Sequence, residues 1–240
     1  MSPPAAGDSA PRMPRSAVVR LDRYRQAAPQ LYELLRERIV SLQMPPGTAI
    51  SRGGIAAEFG VSQTPVRDAL LLLQQEDLVE VFPQSATAVS RIDLAQAERT
   101  HFLRRAVELE IVRQLAESPD KALVQQLRAH VARQEQARDA GDFQAFTDAD
   151  RAFHEELYRA VGQEDLHRLV RSRSGHVDRL RRLHVPTPGK ARKVIADHTA
   201  IVRAIAAGQP AEAQERLRQH LSGTLAQAAD IRAAHPEFFR

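Results

Sequence analysis

The chain has 240 residues, no Cys and a formal net charge of +4. Its length exceeds one ordinary domain and can bury two cores, and the lack of thiols excludes a disulfide framework and any thiolate metal site. The basic excess is no guide to a nucleic-acid surface, because residues 1–90 hold nine Arg against nine acidic side chains and the whole surplus lies beyond them.

The stretch 1–28 is rich in Pro, Ala and Arg, lacks the apolar core of a signal peptide and is expected to be a flexible arm. Arg12, Arg15, Arg20, Arg23 and Arg25 could follow a DNA backbone, but a solvated tail is the plainer expectation. No apolar run approaches membrane-spanning length, so a cytoplasmic protein with no membrane partner is expected. From Pro29 to Met44, Leu31, Leu34, Leu35, Ile39 and Leu42 mark an amphipathic first helix that Pro45-Pro46-Gly47 stops. Ser51 can cap a short second helix through Ile55, Ala56 and Phe59, with Gly60 ending it in the left-handed conformation.

Ser62 is expected to cap a third helix through its hydroxyl, and Pro65 fits the first turn, where backbone donors are not needed. Val66, Ala69, Leu70 and Leu73 repeat at helical spacing and predict one buried face. On another face Gln63 and Arg67, four apart, offer an amide for adenine and a guanidinium for guanine or phosphate. Leu71 and Leu72 widen the apolar surface of this half-wet helix and are expected to pack against the first helix or the second domain. Leu78 to Phe82 and Thr87 to Ser90 alternate as two strands joined by Pro83-Gln84-Ser85-Ala86, completing a winged helix-turn-helix. With no net charge in this half, DNA affinity is expected to rest on the placement of Arg36, Arg38, Arg52 and Arg67 and on dimerisation.

Beyond Asp93 the pattern is that of six long helices: Asp93 to about Glu117, Ser118-Pro119 to Gly141, Asp142 to Gly162, Gln163 to Leu183, Pro188 to Ala207 and Pro210 to Ala233. Asp150 and His154 stand four apart, so both can reach one ion, and His198 and His220 follow in later helices among core-facing residues. Spacing alone leaves open whether these are metal ligands or satisfied core histidines. His101, His130, His167, His176, His184 and His235 lack a comparable pattern and are expected at the surface or in packing. Arg171, Arg173 and the run from Arg179 to Arg182 read as a solvated, salt-bridged face from which Arg179 could turn inward.

The segment from Leu31 to Asp93 resembles the DNA-binding domain of GntR-type bacterial transcription regulators. The resemblance is carried by Pro45-Pro46-Gly47-Thr48, Ser51, Gly60-Val61-Ser62, Thr64-Pro65-Val66-Arg67, Ala69-Leu70 and Leu78-Val79. The chain departs from that pattern at Ser51-Arg52-Gly53-Gly54-Ile55, where the family usually has Ser-Glu-Arg-Glu-Leu; at Gln63, where Arg is frequent; and at Ala86, where the wing usually has Gly. Arg36, Arg52, Ser62, Gln63, Thr64 and Arg67 are the expected DNA-contacting residues.

From about Leu94 onward the chain resembles the FadR C-terminal domain (FCD), a ligand-sensing helical bundle of one GntR subfamily. Its metal-binding members carry an Asp-x-x-x-His, a later His before x-x-Ile and a final His in the last helix, which correspond here to Asp150, His154, His198 and His220. The resemblance implies a divalent ion, zinc first and otherwise nickel or manganese, and a small organic-acid effector whose far end is held by Arg104. Because ligating imidazoles must be neutral, occupancy is expected to fall below about pH 6. The expected fold is mainly α. A flexible arm (1–28) and a winged helix-turn-helix of three helices and a small β-hairpin (29–92) precede an all-helical FCD bundle of about six helices (93–240) that binds metal and effector and dimerises. The expected function is that of a homodimeric, non-enzymatic repressor released from double-stranded operator DNA by a carboxylate or sugar-acid effector. The alternatives are a metal-dependent hydrolase with an Asp/His3 ion and an unregulated DNA-binding protein with a structural metal.

Overall fold

Leu31, Leu35 and Ile39 recur at helical spacing and are buried, giving α1 (Ala27–Val40) its single apolar face. After β1 (Ala49–Ile50), α2 (Arg52–Phe59) starts at Ser51, whose hydroxyl accepts the Gly54 N–H at 3.0 Å. It ends at Gly60, whose φ of +65° a side chain would strain. Helix α3 (Gln63–Gln75) buries Val66, Ala69, Leu70 and Leu73 in the same core as α1. Strands β2 (Val79–Val81) and β3 (Thr87–Val89) pair antiparallel with Val81 opposite Thr87, and β1 pairs on the other edge of β3. The computed structural model describes residues 20–81 and 87–240, so most of the N-terminal arm and the wing turn Pro83-Gln84-Ser85-Ala86 lie outside the described residues.

Two expectations for this module need correction. Ser62 occupies the N-cap of α3, but its exposed hydroxyl makes no capping bond, unlike that of Ser51. Leu71 and Leu72 lie outside the core of the described residues and are 44% and 40% exposed, because the stripe that meets α1 stops at Leu70 and resumes at Leu73.

The second module is all helical: α4 (Leu94–Glu117), α5 (Lys121–Asp139), α6 (Phe143–Ala160), α7 (Glu164–Arg173), α8 (Gly175–His184), α9 (Lys190–Ala206), α10 (Pro210–Leu225) and α11 (Ala228–Ala234). Asp93, Asp120 and Asp142 cap α4, α5 and α6 through their carboxylates, satisfying backbone donors at each start. No helix among the described residues is long and apolar enough to cross a membrane.

The helix expected from Gln163 to Leu183 is broken at Ser174, and the last one is broken after Leu225. Tertiary packing explains the first break. Gly175 lies so close to Leu78 of the N-terminal module that an added Cβ would stand 2.4 Å from Leu78 Cδ2. The modules are also joined by buried cations. Arg36, expected to touch DNA, is 1% exposed; its Nε binds Glu76 at 2.8 Å and its Nη2 donates to the Arg171 carbonyl at 2.6 Å. It is corrected to a residue that joins α1 to the bundle. Arg179 does turn inward, donating through Nη1 to the Ser90 carbonyl at 2.6 Å, and burial pushes its pKa down to about 9. His176 accepts the Asp93 N–H at Nδ1 beside it, and its buried site lowers its pKa to about 3.

Candidate metal centre and DNA-facing helix

Helix α6 places Asp150 and His154 one turn apart on its buried face, while α9 brings His198 and α10 brings His220 to the same point. The four residues are 2%, 3%, 0% and 8% exposed in that order, and one donor atom from each lies within 4.8 Å of the others. The outward nitrogens of the imidazoles face acceptors. His198 Nδ1 donates to Gln134 Oε1 at 2.8 Å, and an amide oxygen can only accept, so the proton sits on Nδ1. His154 Nδ1 stands 2.9 Å from Glu108 Oε2, although its N–H direction lies off the line of a good hydrogen bond. His220 Nδ1 faces Asp197 Oδ2 at 3.7 Å, longer than a direct bond.

The inward atoms are the three Nε2 nitrogens, and that of His198 is a lone pair because its proton sits on Nδ1. His154 Nε2 and His198 Nε2 each lie 3.2 Å from His220 Nε2, and His198 Nε2 lies 3.7 Å from Asp150 Oδ1. Three neutral ring nitrogens and a carboxylate oxygen converging in a buried site offer one net negative charge and no cation of their own among them, so the residues fit a cation. The ring of Phe153 stacks on His198 at 3.9 Å between centroids and holds it in place. Three imidazole nitrogens and one carboxylate oxygen form a donor set that a divalent ion could occupy.

Protonation favours the same outcome. Burial opposes ionisation of Asp150, but the Arg181 guanidinium overcomes it and holds the carboxyl far below the usual range. Burial, reinforced by Arg104, pushes His154 down to about 4. Burial also lowers His198, and it lowers His220 despite the opposing Asp197 bond. At neutral pH the cluster therefore holds one anionic carboxylate and neutral rings, the state in which such groups coordinate.

Arg104, which the resemblance implies to be a pocket residue, is also an ion-pair partner within the bundle. It is buried, its Nε donates to Glu108 Oε1 at 2.6 Å, and it lines cavities of about 50 Å³ and 30 Å³ beside the cluster. Arg181 also lines both cavities and binds Asp150 Oδ2 directly. Its spacing from Asp178 is that of an ordinary helical ion pair on a solvated face; only the docking of α8 reveals its other partner. Glu108, Gln134 and Asp197 were likewise missed. The i, i+4 spacing from Arg104 could have drawn attention to Glu108, but no sequence signal marks Gln134.

On α3, Ser62, Gln63, Thr64 and Arg67 are exposed, and Arg52 is exposed at the start of α2. Gln63 Nε2 lies 4.0 Å from where a Cβ on Gly53 would stand, so two of the places at which the chain departs from the family pattern are neighbours. Arg38 is held by Glu58 at 2.6 Å and lies over the Phe59 ring.

Residues 100–223 match the model of the FCD domain, and residues 27–89 match that of the bacterial regulatory proteins, gntR family. The chain belongs to the gntR family. A regulator described as an "Uncharacterized HTH-type transcriptional regulator in unstable DNA locus" from Streptomyces ambofaciens is 38% identical over 209 residues, 87% of this chain and 88% of that protein. The HTH-type transcriptional repressor RspR of Escherichia coli K12 is 25% identical over 88% of this chain and 92% of its own length. Among solved structures, E. coli McbR/YncC superposes with a TM-score of 0.74 at 20% identity, covering 85% of this chain and 98% of that one, and so shares the fold. This gntR-family chain is a DNA-binding transcription regulator with an FCD bundle, not an enzyme.

Proposed function

We propose that this gntR-family regulator is a homodimeric repressor that leaves its double-stranded operator when a small carboxylate or sugar acid binds beside an ion in the FCD bundle. The observation that supports this reading is the convergence of four buried donor atoms, three imidazole nitrogens and one carboxylate oxygen, within 4.8 Å of one another. Asp150, His154, His198 and His220 would hold the ion, with zinc the first choice and nickel or manganese compatible with the same donors. Such an ion supplies a Lewis-acidic anchor for one carboxylate oxygen. Arg104 spends Nε on Glu108, which leaves its terminal nitrogens for the effector's carboxylate. Arg52, Ser62, Gln63, Thr64 and Arg67 form the exposed set for DNA, without Arg36.

The effector shifts DNA binding only by favouring one arrangement of the two modules. The test is metal analysis of dialysed wild type, His154→Ala, His198→Ala and His130→Ala, followed by operator titration with carboxylates. The two cluster variants should lose the ion and the response, and His130→Ala should lose neither. Equal metal content in all four proteins would reject the site. Arg104→Ala should keep the ion and effector-free DNA binding while losing release, and Arg104→Lys should fail almost as badly because an ammonium lacks the bidentate fork.

A further inference from the structure

The larger cavity beside the cluster has four arginines in its wall, Arg104, Arg151, Arg171 and Arg181, against two carboxylates, Glu108 and Asp178. The inner two are satisfied within the bundle, Arg104 by Glu108 and Arg181 by Asp150. The outer two reach across to α1 of the DNA-binding module. Arg171 Nη2 binds Glu33 at 3.0 Å, and Arg151 Nη1 binds Glu37 at 3.4 Å while also lying 3.5 Å from Asp148 on its own helix. Gln144 Nε2 adds a bond to Glu37 at 3.0 Å, and Arg36 of α1 donates to the Arg171 backbone carbonyl. Side chains at the mouth of the cavity therefore also tie α1 to the bundle.

We propose that the ligand of this cavity is a dianion whose second acidic group takes Arg151 and Arg171 away from Glu37 and Glu33 and so unseats the DNA-binding module. This rests on the effector reading above. The chemistry of the exchange is symmetrical: a guanidinium that binds a glutamate carboxylate binds a ligand carboxylate equally well. A monoanion anchored at the ion and Arg104 would leave the outer arginines on α1, so a second acidic group is needed to reach them. A cavity of about 50 Å³ holds one or two waters, so a diacid needs the wall to move. The Arg151 and Arg171 side chains are 28% and 36% exposed, and pairs of that kind contribute little, so the mouth yields more readily than the buried Arg36–Glu76 pair. Releasing them frees α1 at two points one turn apart on one helix face.

The experiment uses full-length protein loaded with Co²⁺ and two series of probes, the dianions malonate, succinate, glutarate and tartrate and the monoanions acetate, propionate and butyrate. The visible Co²⁺ spectrum reports binding at the cluster, and backbone hydrogen exchange over residues 27–40 reports the seating of α1. At least one dianion should change the spectrum and speed α1 exchange about tenfold, whereas monoanions should change the spectrum alone. In the double variant Arg151→Ala, Arg171→Ala, α1 exchange should already be fast, and the same dianion should change the spectrum without speeding it further. Glu33→Gln, Glu37→Gln should reproduce the fast exchange from the other side. A dianion that changes the spectrum while α1 exchange stays constant, a response of α1 to monoanions, or an undiminished response in the double variant would overturn the competition and leave the effector site standing. If neither series changes the spectrum, the effector reading fails and the inference fails with it.

Discussion

On α3 the groups proposed to meet DNA, Ser62, Gln63, Thr64 and Arg67, stand in water, whereas in the bundle Asp150, His154, His198 and His220 are withdrawn from it together with Arg104 and Glu108. Polar groups left in water cost folding nothing and can be exchanged with little effect on stability. Buried groups must each find a partner, so function and stability are entangled in the bundle and nearly independent on the recognition helix. Arg36 and Arg67 show the contrast within one module: both were expected to touch DNA, yet one is enclosed between α1, Glu76 and the bundle and the other is exposed.

The largest effect should come from breaking the bundle's charge pairing. Asp150→Ala strands the mostly buried Arg181 and should cost about 3 to 5 kcal/mol in chemical denaturation, along with the loss of bound metal. Full stability in this variant would show that Arg181 finds water and that the site is less enclosed than its packing indicates. Arg36→Ala should cost about 3 kcal/mol by leaving Glu76 buried without its cation, while Arg67→Ala should leave the unfolding midpoint unchanged and weaken operator binding by about 1 to 3 kcal/mol. Operator affinity that is unchanged across a salt series would remove Arg67 from the interface.

Acid should act on the bundle before it acts on α3. With His154 lowered to about 4 in the folded chain, the unfolded chain takes up a proton near pH 6.5 that the folded chain refuses. The stability present above pH 6.5 is therefore lost as pH falls toward 4, by about 2 kcal/mol at pH 5 from this ring alone. His198 and His220 shift in the same direction. The same depression moves the loss of metal below the pH 6 expected for an ordinary histidine; calorimetry and metal retention measured from pH 7 to 4 check both. The smallest contrast is between two serines: Ser51→Ala should cost about 1 kcal/mol, and Ser62→Ala should leave thermal stability unchanged, because only the first hydroxyl caps a helix.

Local chemistry made the N-terminal module and most helix limits legible from sequence. Gly60 closes α2, the Val66, Ala69, Leu70 and Leu73 stripe shows which side of α3 is buried, and Asp93 and Asp142 mark two helix starts, whereas α1 ends at Val40, short of the expected Met44, with Leu42 already at a φ of +64°. Asp150 and His154 were legible for the same reason, since residues four apart on a helix face one way whatever surrounds them. Strand β1 escaped notice because two residues show no alternation, and the break at Ser174 because it depends on how closely α8 approaches Leu78. Tertiary structure alone decided that His198 and His220 join Asp150 and His154, that Arg181 faces the cluster, and that Arg36, Arg151 and Arg171 bridge the modules. Helical period and end caps are set by neighbours along the chain, but the partner of a long cationic side chain is set by whichever element packs opposite it, and spacing in sequence carries no record of that.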